Sequence, residues 1–151
     1  MKIVLLLLIT LAFCPAIAQT SSTDEAAVRA SVNQLFEGMK KADSTMIKLI
    51  FTPGARLQTV VNKQGEVSVQ DDAIGKFISS VGKAKPGALD ERLSGMDIKI
   101  DGELATAWTP YSFYYNGQQS HCGVNAFTLV KMAGIWKIQN IIDTRRKQGC
   151  P

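Results

Sequence analysis

The sequence predicts an α+β fold, a cone in which three helices from the N-terminal half pack on a curled antiparallel sheet formed mainly by the C-terminal half. Three observations carry this. Val28, Val32, Leu35, Phe36 and Met39 recur at helical spacing and make one apolar stripe. From Met96 to Lys147 the chain instead reads as three long strands folded back on one another. The folds fall at Asn116-Gly117, a dipeptide that accepts the positive φ angles of a two-residue hairpin turn, and at Ala133-Gly134, a weaker version of it.

With 151 residues the chain is long enough for one domain with a sizeable core. Its start reads as a secretory leader over residues 1–18. Lys2 supplies positive charge, residues 3–13 are almost wholly apolar, and Ala16-Ile17-Ala18 is a small-residue cleavage signal. Cleavage after Ala18 leaves a single domain over residues 19–151, secreted or periplasmic. The apolar run is too short to remain as a stable membrane span. A lipoprotein box at Leu11-Ala12-Phe13-Cys14 is a minor alternative, weakened by bulky Phe13 and by Pro15.

Residues 19–23 are polar and expected to fray, with Ser22 and Glu25 forming a capping box for a helix over residues 25–41. Asp43 caps a second helix over residues 44–51, which Pro53-Gly54 ends. Short strands at 55–61 and 66–70 flank a hairpin turn at 62–65. Asp71 or Asp72 then caps a third helix to about Lys83, whose buried edge is Ile74, Phe77, Ile78 and Val81. After the loop Lys85-Pro86-Gly87, residues 89–93 lead into the long strands.

Two-residue turns at both hairpins would set Ser112 opposite His121, Trp108 opposite Asn125 and Phe127 opposite Asn140. Strand alternation then gathers Trp108, Ser112, Tyr114, His121, Asn125, Phe127 and Asn140 on one face, above a floor of Leu129, Trp136 and Ile138. A polar mouth over an apolar floor is what a concave binding site needs. The aromatics can stack on a planar ligand, and the two amides require partners inside an apolar face. The opposite face would carry Tyr111, Phe113, Tyr115, Val124, Ala126, Ile141 and Asp143. It is too apolar for water, and sheet-to-sheet homodimerisation would cover it. A bulge in any strand would exchange the two lists beyond it.

Chemistry is sparse. Removing Lys2 with the leader lowers the formal net charge of +4 by one, and the basic residues are scattered except for Arg145-Arg146-Lys147. That pattern does not suit nucleic acid. After the leader, one histidine and two widely separated cysteines lack metal-ligand spacing, and no cofactor motif appears. Cys122 and Cys150 are disulfide candidates if the tail turns back at Gly149. His121 is the candidate general base or polar ligand contact. Asp143, on the other face, is read as the partner of Arg145 or Arg146, or as part of a subunit contact.

The first helix ending in Lys40-Lys41-Ala42-Asp43, the stretch LIFTPGARLQTVV and the ending HCGVNAFTLVKMAGIWKIQNIIDTRRKQGC resemble the nuclear transport factor 2-like superfamily. The similarity extends to secreted bacterial proteins grouped as proposed lumazine-binding or nuclear transport factor 2 family proteins. The resemblance spans nearly all of residues 19–151 and implies a cone-shaped α+β fold, often dimeric. It implies no single activity, because the superfamily holds isomerases, dehydratases, cyclases and non-enzymes. Its ketosteroid-isomerase-like enzymes carry a tyrosine on the first helix and a basic aspartate on the first strand. Here no tyrosine follows the leader before Tyr111, and residues 55–61 offer Gln58 and Thr59 but no carboxylate. That chemistry is disfavoured. The expected function is binding of a small planar or apolar molecule. The rivals are a dehydratase- or cyclase-like lyase using His121 as acid/base, and a non-catalytic dimeric accessory module with a filled pocket.

Overall fold

The computed structural model describes residues 18–150, with side chains from Ser22 onward. Apart from Ala18, the expected leader and Cys14 lie outside the described residues. Helix α1 (Ala18–Lys41) runs unbroken through the segment expected to fray, so Ser22 lies within the helix and does not cap it. Its apolar stripe is buried along its whole length, from Val28 to Met39.

Asp43 caps α2 (Ser44–Lys48) as expected, its carboxylate accepting from the Met46 N–H at 2.9 Å. This helix is shorter than expected, because the backbone is already extended at Phe51. Strand β1 (Phe51–Lys63) and strand β2 (Glu66–Asp72) form the predicted hairpin. Asn62 Oδ1 accepts from the Gly65 N–H at 2.9 Å and closes its turn. β2 extends through Asp72, where Asp71 pairs with Arg56 of β1 at 2.9 Å. With both aspartates still in the strand, α3 (Ile74–Lys83) starts after Ala73 without a side-chain cap.

The remaining strands are β3 (Leu89–Leu93), β4 (Asp97–Asp101), β5 (Leu104–Tyr115), β6 (Gln118–Met132) and β7 (Ile135–Arg146). The sheet runs β2-β1-β7-β6-β5-β3, and β4 also pairs with β5. All pairings are antiparallel except β1 with β7. β5 serves two partners in succession: its first half pairs with β4 and its second with β3. Between them Pro110, which has no N–H, accepts the Ser94 N–H at its carbonyl at 2.9 Å.

Both hairpin turns form where predicted, with φ of 50° and 79° at Asn116-Gly117 and 49° and 79° at Ala133-Gly134. The register then departs from the expected one twice. Phe113 faces His121 while Tyr114 faces Gln119, so Ser120 is an unpaired bulge in β6. Leu129 faces Ile138 while Thr128 faces Asn140, so Gln139 is a second bulge, in β7. Gln139 also ties down the irregular start of β1, accepting from Thr52 Oγ1 at 2.8 Å and donating to the Gly54 carbonyl at 3.2 Å.

Each bulge reverses side-chain parity beyond it. The helix-covered face therefore carries Ala105, Ala107, Thr109, Tyr111 and Phe113 from β5. It takes His121, Asn125, Phe127 and Leu129 from β6, and Trp136, Ile138, Ile141, Asp143 and Arg145 from β7. Trp108, Ser112, Tyr114 and Asn140 go to the outer face, against expectation, and Trp108 is 55% exposed. On the inner face Phe36 of α1 meets Phe127 edge-on at 6.1 Å, and Phe77 of α3 meets Phe51 at 6.5 Å. Cys122 and Cys150 are bridged, with the tail turned back at Gly149. Among the described residues no helix is long and apolar enough to cross a membrane.

Candidate functional site

A cavity of about 340 Å³ opens between α1, α3 and the inner face of the sheet. Leu35, Phe36 and Met39 of α1 and Phe77 and Val81 of α3 wall one side, with Phe127 and Ile141 opposite. Asp72, Ala73, Lys76 and Ser80 line it at the β2–α3 corner. Of the residues expected to form the site, the cavity is lined by His121, Asn125 and Phe127. Trp108, Ser112, Tyr114 and Asn140 do not line it. Tyr114 instead lies under the Arg92 guanidinium, 4.0 Å from its ring centre.

The parity reversals bring in a polar cluster that the predicted register had placed on the opposite face. Asp143, only 6% exposed, accepts from Arg145 Nε at 2.7 Å and from Tyr111 Oη at 3.2 Å, both on Oδ2. Its Oδ1 is buried with no partner. The Tyr111 hydroxyl shares its proton between Asp143 and the Thr144 carbonyl, 3.1 Å away. Burial, then the charges of Asp143 and Glu91, push its ionisation above the ordinary tyrosine value.

Gly123 makes the tyrosine's reach possible. Tyr111 of β5 faces Gly123 of β6, which faces Arg145 of β7, so the ring crosses a residue without a side chain to reach the third strand. A Cβ on Gly123 would collide with the Thr144 carbonyl and stand 3.0 Å from the Tyr111 ring. Backbone at that point cannot yield cheaply. Gly123→Ala is therefore expected to destabilise the fold by about 1–3 kcal/mol. It should also shift the near-ultraviolet circular dichroism of the tyrosines, and unchanged spectra and denaturation midpoint would contradict this packing.

Glu91 was absent from the predicted site. It stands on β3 facing Phe113, and its Oε1 accepts from Asn125 Nδ2 at 2.8 Å. Burial raises its carboxyl from 4.5 to about 7; the Asn125 hydrogen bond opposes this, the Asp143 charge adds to it and Arg145 counters it. Leu89 and Leu93, two residues to either side, pack against the core. A carboxylate spaced at two from leucines on a short strand was the available signal.

His121 packs on Phe113 at 5.0 Å and meets the Tyr111 ring edge-on at 5.8 Å. Its Nδ1 lies 3.1 Å from Ser120 Oγ of the bulge. Burial first, then Arg145, lower its pKa below the ordinary 6.5, with Asp143 partly opposing them. The ring is thus mostly neutral at pH 7. It shares the cavity with Asp143, contrary to the expected register, but its Nδ1 pairs with Ser120. Among the described residues no group of three or more His, Cys, Asp and Glu side chains is placed to hold a metal ion.

No family model and no curated protein matches this sequence. Solved structures do resemble it. A nuclear transport factor 2-like protein with a cystatin-like fold from Novosphingobium aromaticivorans superposes with a TM-score of 0.68 at 10% identity, covering 89% of each chain. A proposed scytalone dehydratase from the same organism gives 0.67 at 15% identity, covering 86% of this chain and 89% of that one. A nuclear transport factor 2-like protein of unknown function from Silicibacter pomeroyi gives 0.61 at 20% identity, covering 83% of this chain and 98% of that one. At these identities the likeness is one of fold, and it agrees with the helices packed on a curled sheet described above. The chain has the nuclear transport factor 2-like fold.

Proposed function

We propose that this protein binds a small, mostly apolar molecule in the cavity between α1, α3 and the sheet. One observation carries the reading: the space is preformed and walled by apolar side chains, and a few polar groups converge on it. An accessory module with a vestigial pocket would need side chains filling that space, and it is open. The leader-like start of the sequence and the Cys122–Cys150 bridge both fit a secreted or periplasmic setting. Homodimerisation through the outer sheet face remains part of the proposal, with a different surface from the one first expected. Leu104 and Trp108 are exposed there, while Tyr111, Phe113 and Ile141 belong to the inside.

A second reading, acid–base catalysis, is favoured by Glu91. A carboxyl titrating near 7 inside an apolar cavity is suited to giving and taking a proton at neutral pH. The dehydratase assignment of one fold relative is compatible with such a role. Under this reading Glu91 takes the place first given to His121, and the neutral histidine becomes a hydrogen-bonding contact.

Binding can be tested with N-phenyl-1-naphthylamine, a neutral dye that fluoresces in apolar surroundings. Ser80→Trp places a large side chain at an exposed cavity-lining position, without touching the core. Dye affinity is expected to fall at least tenfold with the melting temperature unchanged. Equal affinity in parent and variant would exclude this cavity as the binding site.

A further inference from the structure

The polar groups left open in the cavity are acceptors, and they gather around a carboxylate without a counter-ion. Glu91 uses Oε1 to accept from Asn125 Nδ2 at 2.8 Å. Its Oε2 accepts no hydrogen bond from the described residues. Unlike the sealed Oδ1 of Asp143, it keeps accessible surface, on a side chain that lines the cavity. Asn125 is alike: Glu91 and Thr109 Oγ1, the latter at 3.4 Å, engage its Nδ2, while its Oδ1 is neither partnered nor sealed. The other donors at this end, Tyr111 Oη and Arg145 Nε, are held by Asp143. A ligand head seated here must bring donors of its own.

Charge narrows the class. Among the described residues no lysine or arginine forms an ion pair with Glu91. Arg145 is held by Asp143 at 2.7 Å, and Lys40 and Arg92 are both held by Asp90. Lys76 and Asp72 add one charge of each sign at the β2–α3 corner. At the Glu91 carboxyl the Asp143 charge outweighs that of Arg145, so this end is negative. An ionised carboxylate in such surroundings is stabilised by a cation brought from outside. We propose that the cavity takes an amine, its ammonium head on Glu91 Oε2 and Asn125 Oδ1 and its apolar body against the walls from α1 and α3. This rests on the binding reading above and makes it more specific.

Glu91 also gives the site a pH signature. Around it stand Asp143 and Arg145 of β7, Tyr111 of β5, His121 of β6, and Lys76 and Asp72 at the corner, while α1 lines the cavity with apolar side chains alone. Glu91 titrates near 7, and His121 gains its charge below 6.5. An ammonium requires the ionised carboxylate. At pH 6 only about a tenth of Glu91 is ionised, so amine affinity should be about tenfold weaker than at pH 8. A neutral molecule of the same shape has no such requirement.

Three probes share an indole body: tryptamine carries an ammonium, tryptophol a hydroxyl donor and indole-3-acetate an anion. Isothermal titration of the wild-type protein at pH 8 is expected to rank tryptamine at least tenfold tighter than tryptophol, with indole-3-acetate weakest. The lead of tryptamine should shrink to near parity at pH 6. Equal affinities for tryptamine and tryptophol at pH 8 would mean that any donor suffices, overturning amine selection while leaving the cavity a binding site. Tightest binding of indole-3-acetate would overturn it in favour of an anion site at Arg145. If none of the three binds, N-phenyl-1-naphthylamine separates the cases: retained dye binding overturns the amine class alone, and absent dye binding defeats the binding reading as well.

Glu91→Gln supplies an independent check, because it keeps an oxygen for Asn125 and removes the charge. Tryptamine should lose its lead over tryptophol at pH 8. A retained tenfold lead would show that Glu91 does not hold the ammonium. If the variant does not fold, the wild-type comparison of pH 8 with pH 6 decides, and a lead that stays constant overturns the role of Glu91.

Discussion

Glu91→Gln is expected to make the protein more stable than wild type at pH 8 and to flatten its response to alkali. The glutamine keeps an oxygen for Asn125 Nδ2 and removes the titration. In the unfolded chain the Glu91 carboxyl loses its proton near 4.5, and in the folded protein near 7. Between those values the folded state holds more protons than the unfolded state. Stability contributed by this group is therefore fully present below 4.5, declines as pH rises, and is gone above about 7. The loss amounts to roughly 3 kcal/mol. His121 works in the opposite sense: its lowered folded value means that stability is lost as pH falls through and below 6.5. The informative quantity is thus the difference between wild type and Glu91→Gln in urea unfolding at pH 5 and pH 8. A difference that stays constant across that range would show that Glu91 has an ordinary carboxyl.

Reducing the Cys122–Cys150 bridge is expected to have an effect at least as large. The two cysteines are 28 residues apart, and on chain-entropy grounds closing such a loop is worth roughly 3–4 kcal/mol. The bridge starts from the centre of the sheet, since Cys122 is fully buried between Ser112 of β5 and Arg146 of β7. It fastens the tail to the strand that carries His121 and Gly123. Wild type treated with reductant and Cys150→Ser should therefore show the same lowered urea midpoint. Matching midpoints for oxidised and reduced protein would mean that the tail is held by other contacts. Because the loop includes β7, the reduced protein should also bind the neutral dye less tightly if Asp143 and Arg145 shift with the strand end.

Much of the fold was legible because it depends on local patterns. The α1 stripe, the Asp43 cap and both hairpin turns follow from spacing and from residues with known backbone preferences. The site was harder to read, because its residues depend on parity counted across strands. β6 was assigned to the correct face, so His121, Asn125 and Phe127 were placed inside. One unpaired residue, Ser120, then turned all of β5 over, exchanging Trp108, Ser112 and Tyr114 for Thr109, Tyr111 and Phe113. A second, Gln139, did the same for the end of β7, exchanging Asn140 for Ile141, Asp143 and Arg145. Neither bulge carries a sequence mark of its own. The second has an indirect one: Pro53-Gly54 forces an irregular start to β1, and the strand beside it must accommodate that. Glu91 was missed for another reason. Residues 89–93 were read only as a lead-in to the long strands, yet Lys40 at 3.1 Å and Arg92 at 2.8 Å hold Asp90 while Glu91 alternates inward.

The parallel pairing of β1 with β7 has a consequence for how the protein is made. β1 and β2 are made early, but the neighbour that ties their hairpin into the sheet is the last of the described strands in chain order. Until then the Arg56–Val60 ladder has no β7 partner, and the cavity lacks Ile141, Asp143 and Arg145. A nascent chain that stops before Ile135 should hold α1 and the first hairpin without a sheet to join them. Closure of the fold and completion of the pocket thus wait on β7, the last of the seven strands in chain order.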